Sequence, residues 1–394
     1  MFLSISEIEE VKKYLPTSSI LLSKMSLDED RRQSVSTVDC LNFIEAQRKK
    51  KESVSLKRTA LYPILDEELY KFFQKQENFA WSSSEIDYIA DRNDYDESSP
   101  DVKNMIDTIL AFFLSGDGAI SENIMSRFML ECETYEEKMF FISQLHIEAI
   151  HADTYGQAAI TFLRTPEQIC RLMKAADDIP CVKRKLDVIE KWTLSSAEKY
   201  QRYMAFACAE GISFCSLFLP IFWFRPRGKF HSLVTANELI RRDESLHKTF
   251  NVVMVLREVS KILSKEPWRR QEIEDNLLLI LKDFVDIEDE FVDHILKNPI
   301  EDLNAQGMKQ IVRIIADGIL EDLQLERIYN EINPYTWAED FCLQEKANFF
   351  EVRVAAYTKR SIHEFIDWKS RTGYGMSDAD IKAKKYANID LLFK

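Results

Sequence analysis

A run of 22 residues, Tyr203 to Phe224, carries a single charge, Glu210, and is flanked by Arg225 and Arg227. Its length and basic flanks suit a membrane span. They equally suit a helix buried on all sides inside a large bundle. The second reading is preferred, because no other such segment occurs and a carboxylate in mid-span is costly in lipid. In either setting Glu210 must be paired, protonated or bound to a metal.

The rest of the chain points to helices as well. Glycine is scarce, 9 of 394 residues or about 2.3%, and there are 10 prolines; a usual share is ~7% glycine and ~5% proline. Few breakers mean few tight turns, so the expected fold class is all-α, a helical bundle, and a β-sandwich is disfavoured. Apolar periodicity predicts helices over 64–79, over 101–115 ending around Gly116-Asp117-Gly118, and over 134–163, 184–224, 230–263, 268–297 and 307–331. The acidic stretch Asp87 to Pro100 reads as a loop or short helices. A flexible arm is expected over 1–58, with the basic run Arg48-Lys49-Lys50-Lys51 as a solvated end, a helical domain over 59–350, and a mobile polar tail over 351–394.

Composition narrows the function. The net charge of −14 argues against nucleic acid as a partner. Neither phosphate-binding glycine motif occurs. The seven cysteines are scattered without a C-x-x-C, which fits reduced thiols in the cytoplasm. The opening MFLSISEIEEVKK lacks the pattern of a signal peptide, and no membrane partner is expected.

Two of the six histidines close an E-x-x-H: Glu148 with His151, and Glu244 with His247. Residues i and i+3 share a helix face, so each motif aims a carboxylate and an imidazole at one point. Alone, the two could be ordinary Glu–His pairs. Helical bundles that hold two metals add one carboxylate from each of two further helices. Two acids in apolar surroundings qualify: Glu210, and Asp117 after Ile109-Leu110-Ala111-Phe112-Phe113-Leu114. Four carboxylates and two imidazoles suit iron or manganese better than a thiolate-seeking metal.

Taken together, Glu148-x-x-His151-x-x-x-Tyr155, Ala209-Glu210-Gly211-Ile212-Ser213-Phe214 and Asn237-Glu238-Leu239-Ile240-Arg241-Arg242-Asp243-Glu244-Ser245-Leu246-His247 resemble the small, radical-generating subunit of class I ribonucleotide reductase. The likeness is to the eukaryotic and viral type and runs from about Leu61 to Tyr357. The resemblance implies a ferritin-like helical bundle, a homodimer, two iron ions per chain (or manganese) and O2 as the oxidant. It implies Asp117, Glu148, His151, Glu210, Glu244 and His247 as metal ligands and Tyr155 as the radical-bearing residue. Phe214, Phe218 and Ile240 match its apolar radical pocket. Trp81 and Asp243 match an electron-transfer chain that ends at His151, and Tyr357 matches a tail tyrosine that relays the radical to a large subunit. Tyr374 and Tyr386 are rival relays. The apolar cluster Ile389 to Phe393 is the expected docking peptide, although the final Lys394 departs from the family pattern. Other readings of the same ligands are a di-iron desaturase or hydroxylase, and iron storage in a ferritin-like shell.

Overall fold

The computed structural model describes residues 61–193 and 196–338. The arm 1–58, the tail 351–394, Tyr357 and its rivals lie outside the described residues.

Helix α1 (Glu67–Asn78) starts where the Asp66 carboxylate accepts the Leu69 N–H at 3.1 Å, and its acidic first turn and basic last turn complement the helix dipole. After a short helix α2 (Asp91–Glu97), Ser99 and Pro100 open α3 (Pro100–Asn123). Thr134 caps α4 (Tyr135–Phe162) by accepting the Glu137 N–H at 3.1 Å. Helices α5 (Pro166–Asp178) and α6 (Pro180–Thr193) follow. The apolar run forms α7 (Lys199–Cys208), a π-helical turn (Ala209–Phe214) and α8 (Cys215–Phe222). Then come α9 (His231–Leu263), α10 (Arg270–Ile295) and α11 (Ala305–Asp322). No strand occurs among the described residues; one isolated bridge joins Ile300 and Leu303.

Three expectations need correction. Gly116 and Gly118 do not end α3, which continues to Asn123 and leaves Asp117 well inside the helix. Each glycine costs a helix only about 1 kcal/mol, less than the burial of this face returns. The single helix expected over 184–224 is two pieces, parted between Thr193 and Lys199. The helix expected to reach residue 331 stops at Asp322. Here the Asp317 carboxylate accepts the backbone N–H groups of Ile328, Tyr329 and Asn330 at 2.9, 3.1 and 2.7 Å, which draws the chain back on itself.

The segment Lys199–Arg227 is long and apolar enough to cross a membrane, and its most apolar window is wholly buried inside the protein. It packs against α9, as a core helix does. Gly211 permits the close approach: a Cβ there would stand 2.9 Å from both Ile319 Cδ1 and Lys248 Cδ. The start of α9 is set from outside. Asp91 of α2 accepts the N–H groups of Ser232 and Leu233 at 3.1 and 2.7 Å, and Asp94 accepts that of Phe230 at 2.7 Å. Carboxylates thus take orphan donors at the positive end of the helix that carries one E-x-x-H.

Candidate metal centre

Four stretches of helix bring six donors into one buried region. Asp117 comes from α3, Glu148 and His151 from α4, Glu210 from the π-helical turn, and Glu244 and His247 from α9; all are at most 2% exposed. Ligand atoms of Glu148, Glu210, Glu244 and His247 lie within 4.8 Å of one another. His151 adjoins them, its Nδ1 3.0 Å from Glu244 Oε1 and 3.3 Å from Glu148 Oε2. Glu210 sits where the helix widens to π geometry, which re-aims its side chain relative to a plain α-helix; such turns recur at functional sites.

The hydrogen bonds around the imidazoles fix which nitrogen meets the carboxylates. His247 Nε2 is 3.0 Å from Gln76 Oε1, which can only accept, so Nε2 carries the hydrogen. The Gln76 amide is oriented by its other end, whose Nε2 donates to Asp243 Oδ1 at 3.4 Å. His247 Nδ1 is left 2.9 Å from Glu244 Oε2 and 3.2 Å from Glu148 Oε1. His151 Nε2 likewise faces Asp243 Oδ2 at 3.3 Å, leaving Nδ1 to Glu148 and Glu244. Two imidazole lone pairs pointed at carboxylate oxygens repel unless a cation, either a proton or a metal, lies between them.

The electrostatics express the same conflict. Burial, then the neighbouring Glu148, pushes the Asp117 carboxyl well above its usual range, and burial, then Glu244, does so for Glu210. Burial opposes the charged form of His247, but Glu244 and Glu148 outweigh it and hold the imidazole up at about 9. His151 is raised well above its usual value for the same reason, with Asp243 the foremost of its partners. Glu244 moves the other way: the two imidazoles overcome its burial and keep it ionised.

Several atoms of this region have no hydrogen-bond partner: both oxygens of Asp117, Glu210 Oε2, Glu244 Oε1 and His151 Nδ1. Orphaned buried acceptors are costly, roughly 1–3 kcal/mol each or more when charged. A pair of divalent ions is the group that would satisfy oxygen and imidazole donors of this number and kind together. The residues present therefore fit a two-metal carboxylate site.

From this cluster a hydrogen-bonded line leads outward. Trp81 Nε1 donates to Asp243 Oδ2 at 2.8 Å, the same oxygen that His151 Nε2 approaches, and the indole stacks on His151 with ring centres 6.0 Å apart. Arg242 lies 3.6 Å from Asp243, so the carboxylate does have an arginine neighbour, but its closer partners are the indole and the imidazole. Tyr155 is fully buried on α4, one turn beyond His151. Phe113 stacks flat on its ring, centres 4.2 Å apart and planes 4° apart. Phe214 and Phe218 meet Phe113 at 5.9 and 5.7 Å, so these two expected pocket residues form a second layer. Ile240 is buried on α9.

Sequence reasoning assigned no individual role to Phe113 or Asn237, which stood inside quoted motifs, and did not single out Gln76 or Gln144. Gln144 Nε2 donates to Glu210 Oε1 at 2.9 Å and Glu148 Oε1 at 3.3 Å, linking two elements. Its place four residues before Glu148 on one helix face was a usable signal, as was that of Asn237, seven before Glu244. Gln76 offered none, because its partners are 167 and 171 residues away.

Fold and site together define a helical bundle with a buried carboxylate–histidine centre. A family model, that of the ribonucleotide reductase small chain, matches residues 58–334. The ribonucleoside-diphosphate reductase small chains of Plasmodium falciparum and Variola virus are each 35% identical over 305 residues, 77% of this chain, and the match covers 84% and 92% of them. The chain belongs to the ribonucleotide reductase small-chain family, and so to the oxidoreductases. Among solved structures, a ribonucleotide reductase homodimer from Saccharomyces cerevisiae is 25% identical, with a TM-score of 0.61 over 75% of this chain and 91% of its own. A dimanganese(II) protein from Streptococcus sanguinis, 18% identical, shares the fold with a TM-score of 0.61 over 70% of this chain and 95% of its own.

Proposed function

We propose that this chain generates and stores a tyrosyl radical and passes it to a separate large subunit that reduces ribonucleotides to deoxyribonucleotides. Asp117, Glu148, His151, Glu210, Glu244 and His247 would hold two iron ions, or manganese, per chain. With O2, the bound metals supply the oxidising power for one-electron oxidation of a nearby phenol. Tyr155 is the phenol that gives up the electron. Phe113, backed by Phe214 and Phe218, covers its ring and excludes water and reductants. Asp243 fixes the tautomer of His151 and accepts from Trp81, so a radical can leave the centre along His151, Asp243 and Trp81. Tyr357 is the proposed last relay in this subunit, Ile389 to Phe393 the docking peptide, and the working form a cytoplasmic homodimer.

The observation that carries this reading is the line from His151 through Asp243 to Trp81. Iron storage has no use for it, and a hydroxylase would need substrate space where Phe113 stacks on Tyr155. The test is electron paramagnetic resonance on metal-loaded, oxygen-exposed protein, followed by ribonucleotide reduction with the large subunit. A persistent tyrosyl signal is expected; its absence with metals present favours a different di-iron oxidase.

Asp243→Asn separates storage from transfer. Asp243 takes three donors, from Trp81, His151 and Gln76. An amide accepts through one oxygen only and turns its NH2 toward a donor. Turnover with the large subunit should fall about 10–100-fold, the usual effect of losing a partner of a metal-bound histidine, while metal content stays. Wild-type turnover would remove Asp243 from the pathway.

A further inference from the structure

Among the described residues Tyr155 makes one hydrogen bond, and it is not to a carboxylate. Its hydroxyl donates to Asn237 Oδ1 at 3.0 Å, with both side chains wholly buried. Asn237 lies on α9 two turns before Glu244, on the same helix face. Its own Nδ2 donates to the carbonyl oxygen of Leu233, one turn back, at 2.8 Å. That second bond decides which end of the amide meets the phenol. A half-turn of the amide would set Oδ1 against the Leu233 carbonyl, acceptor against acceptor, at a fully buried position. The orientation is therefore held by the helix backbone itself. Asp117, the charged group that acts most strongly on the phenol, keeps both oxygens without a hydrogen-bond partner.

We propose that Asn237 is a positioning residue for Tyr155, which holds the phenolic O–H toward α9 and leaves the oxidised oxygen facing an amide carbonyl instead of a donor. This rests on the reading of Tyr155 as the oxidised residue. Oxidation breaks the O–H bond and removes one electron and one proton; reducing O2 to two waters takes four of each, so the two metal ions would give one electron apiece, an external one-electron reductant the fourth, and solvent the remaining three protons. An amide oxygen is far too weak a base to keep that proton, so Asn237 is not its destination. The phenoxyl oxygen only accepts, Oδ1 only accepts, and Nδ2 is held at Leu233. Asn237 thus gives the radical no hydrogen bond, and the rings of Phe113 and its neighbours supply no donor either.

Two measurements on the full-length chain test this. The first needs no radical. Ultraviolet resonance Raman of the resting protein, taken as wild type minus Tyr155→Phe, isolates the Tyr155 doublet. It should report a hydrogen-bond donor, and the doublet ratio should shift in Asn237→Leu. An unshifted doublet overturns the proposal. The second uses iron-loaded, oxygen-exposed protein in D2O, read by high-field electron paramagnetic resonance and deuterium ENDOR. The wild-type radical should show no exchangeable deuteron at hydrogen-bonding distance and a g1 at the high end for tyrosyl radicals. A bonded deuteron in the wild type overturns the proposal. If no tyrosyl radical forms in the wild type, the functional reading fails while the Raman result still decides the role of Asn237.

Discussion

Glu210→Ala should leave a folded protein that no longer binds its full complement of metal. Glu210 is the sole acid of the apolar run that crosses the core, so no neighbour on that element can replace it. Loss of a residue behind a ligand costs about 10–100-fold in metal affinity or in activity, and loss of a ligand itself from a closed site should cost at least the upper end of that range in affinity. The fold has little reason to suffer. In the metal-free state Glu210 is a buried carboxyl whose Oε2 has no partner and whose ionisation burial opposes; removing such a group relieves a desolvation penalty. Glu210→Gln refines the test, because it fills the same volume and its side-chain oxygen can still accept from Gln144. Metal analysis and circular dichroism on both variants give the readout. Low metal with wild-type helicity is expected; full metal in either variant removes Glu210 from the ligand set.

The long helices were legible because nothing in them competes with helical periodicity. Residues 135–162 and 231–263 contain one glycine between them, Gly156, and no proline, and their ends were read to within a residue or two. The errors came where local propensity and tertiary burial disagree. Gly116 and Gly118 look like a stop, yet α3 runs through them because Gly116, Asp117, Ile120 and Asn123 continue its buried face. The π-helical turn at Glu210 has no spacing signature, so the expectation of a plain helix over 184–224 did not contain it. The candidate ligands could be found because E-x-x-H is local and a lone acid in an apolar run is conspicuous. Partners joined only through the fold could not. Phe113 was seen as an apolar position and not as the ring lying on Tyr155, and Gln76 reaches His247 across 171 residues. The pairing of Trp81 with Asp243, 162 residues apart, came from family likeness and not from any pattern in the chain.

Tyr155→Phe should abolish the tyrosyl radical and reduce turnover with the large subunit to background, while both metals remain bound. The phenol hydroxyl is engaged by Asn237, which is not one of the six candidate ligands. Phenylalanine keeps the ring that stacks on Phe113 and removes only the oxidisable O–H. The cost to stability should be small but measurable. Asn237 Oδ1 loses its donor at a buried position, a penalty of about 1–3 kcal/mol, so the thermal midpoint should fall slightly without change in helicity. This variant and Asp243→Asn then fail in different ways. Tyr155→Phe should hold metal and show no radical, whereas Asp243→Asn should hold metal and fail at transfer, since Tyr155 keeps its own hydrogen bond on another turn of α9. Electron paramagnetic resonance beside turnover distinguishes the two. A Tyr155→Phe protein with the wild-type signal would place the radical on a different tyrosine. One that lost its metals would make the phenol part of the metal site and not a separate store of oxidising power.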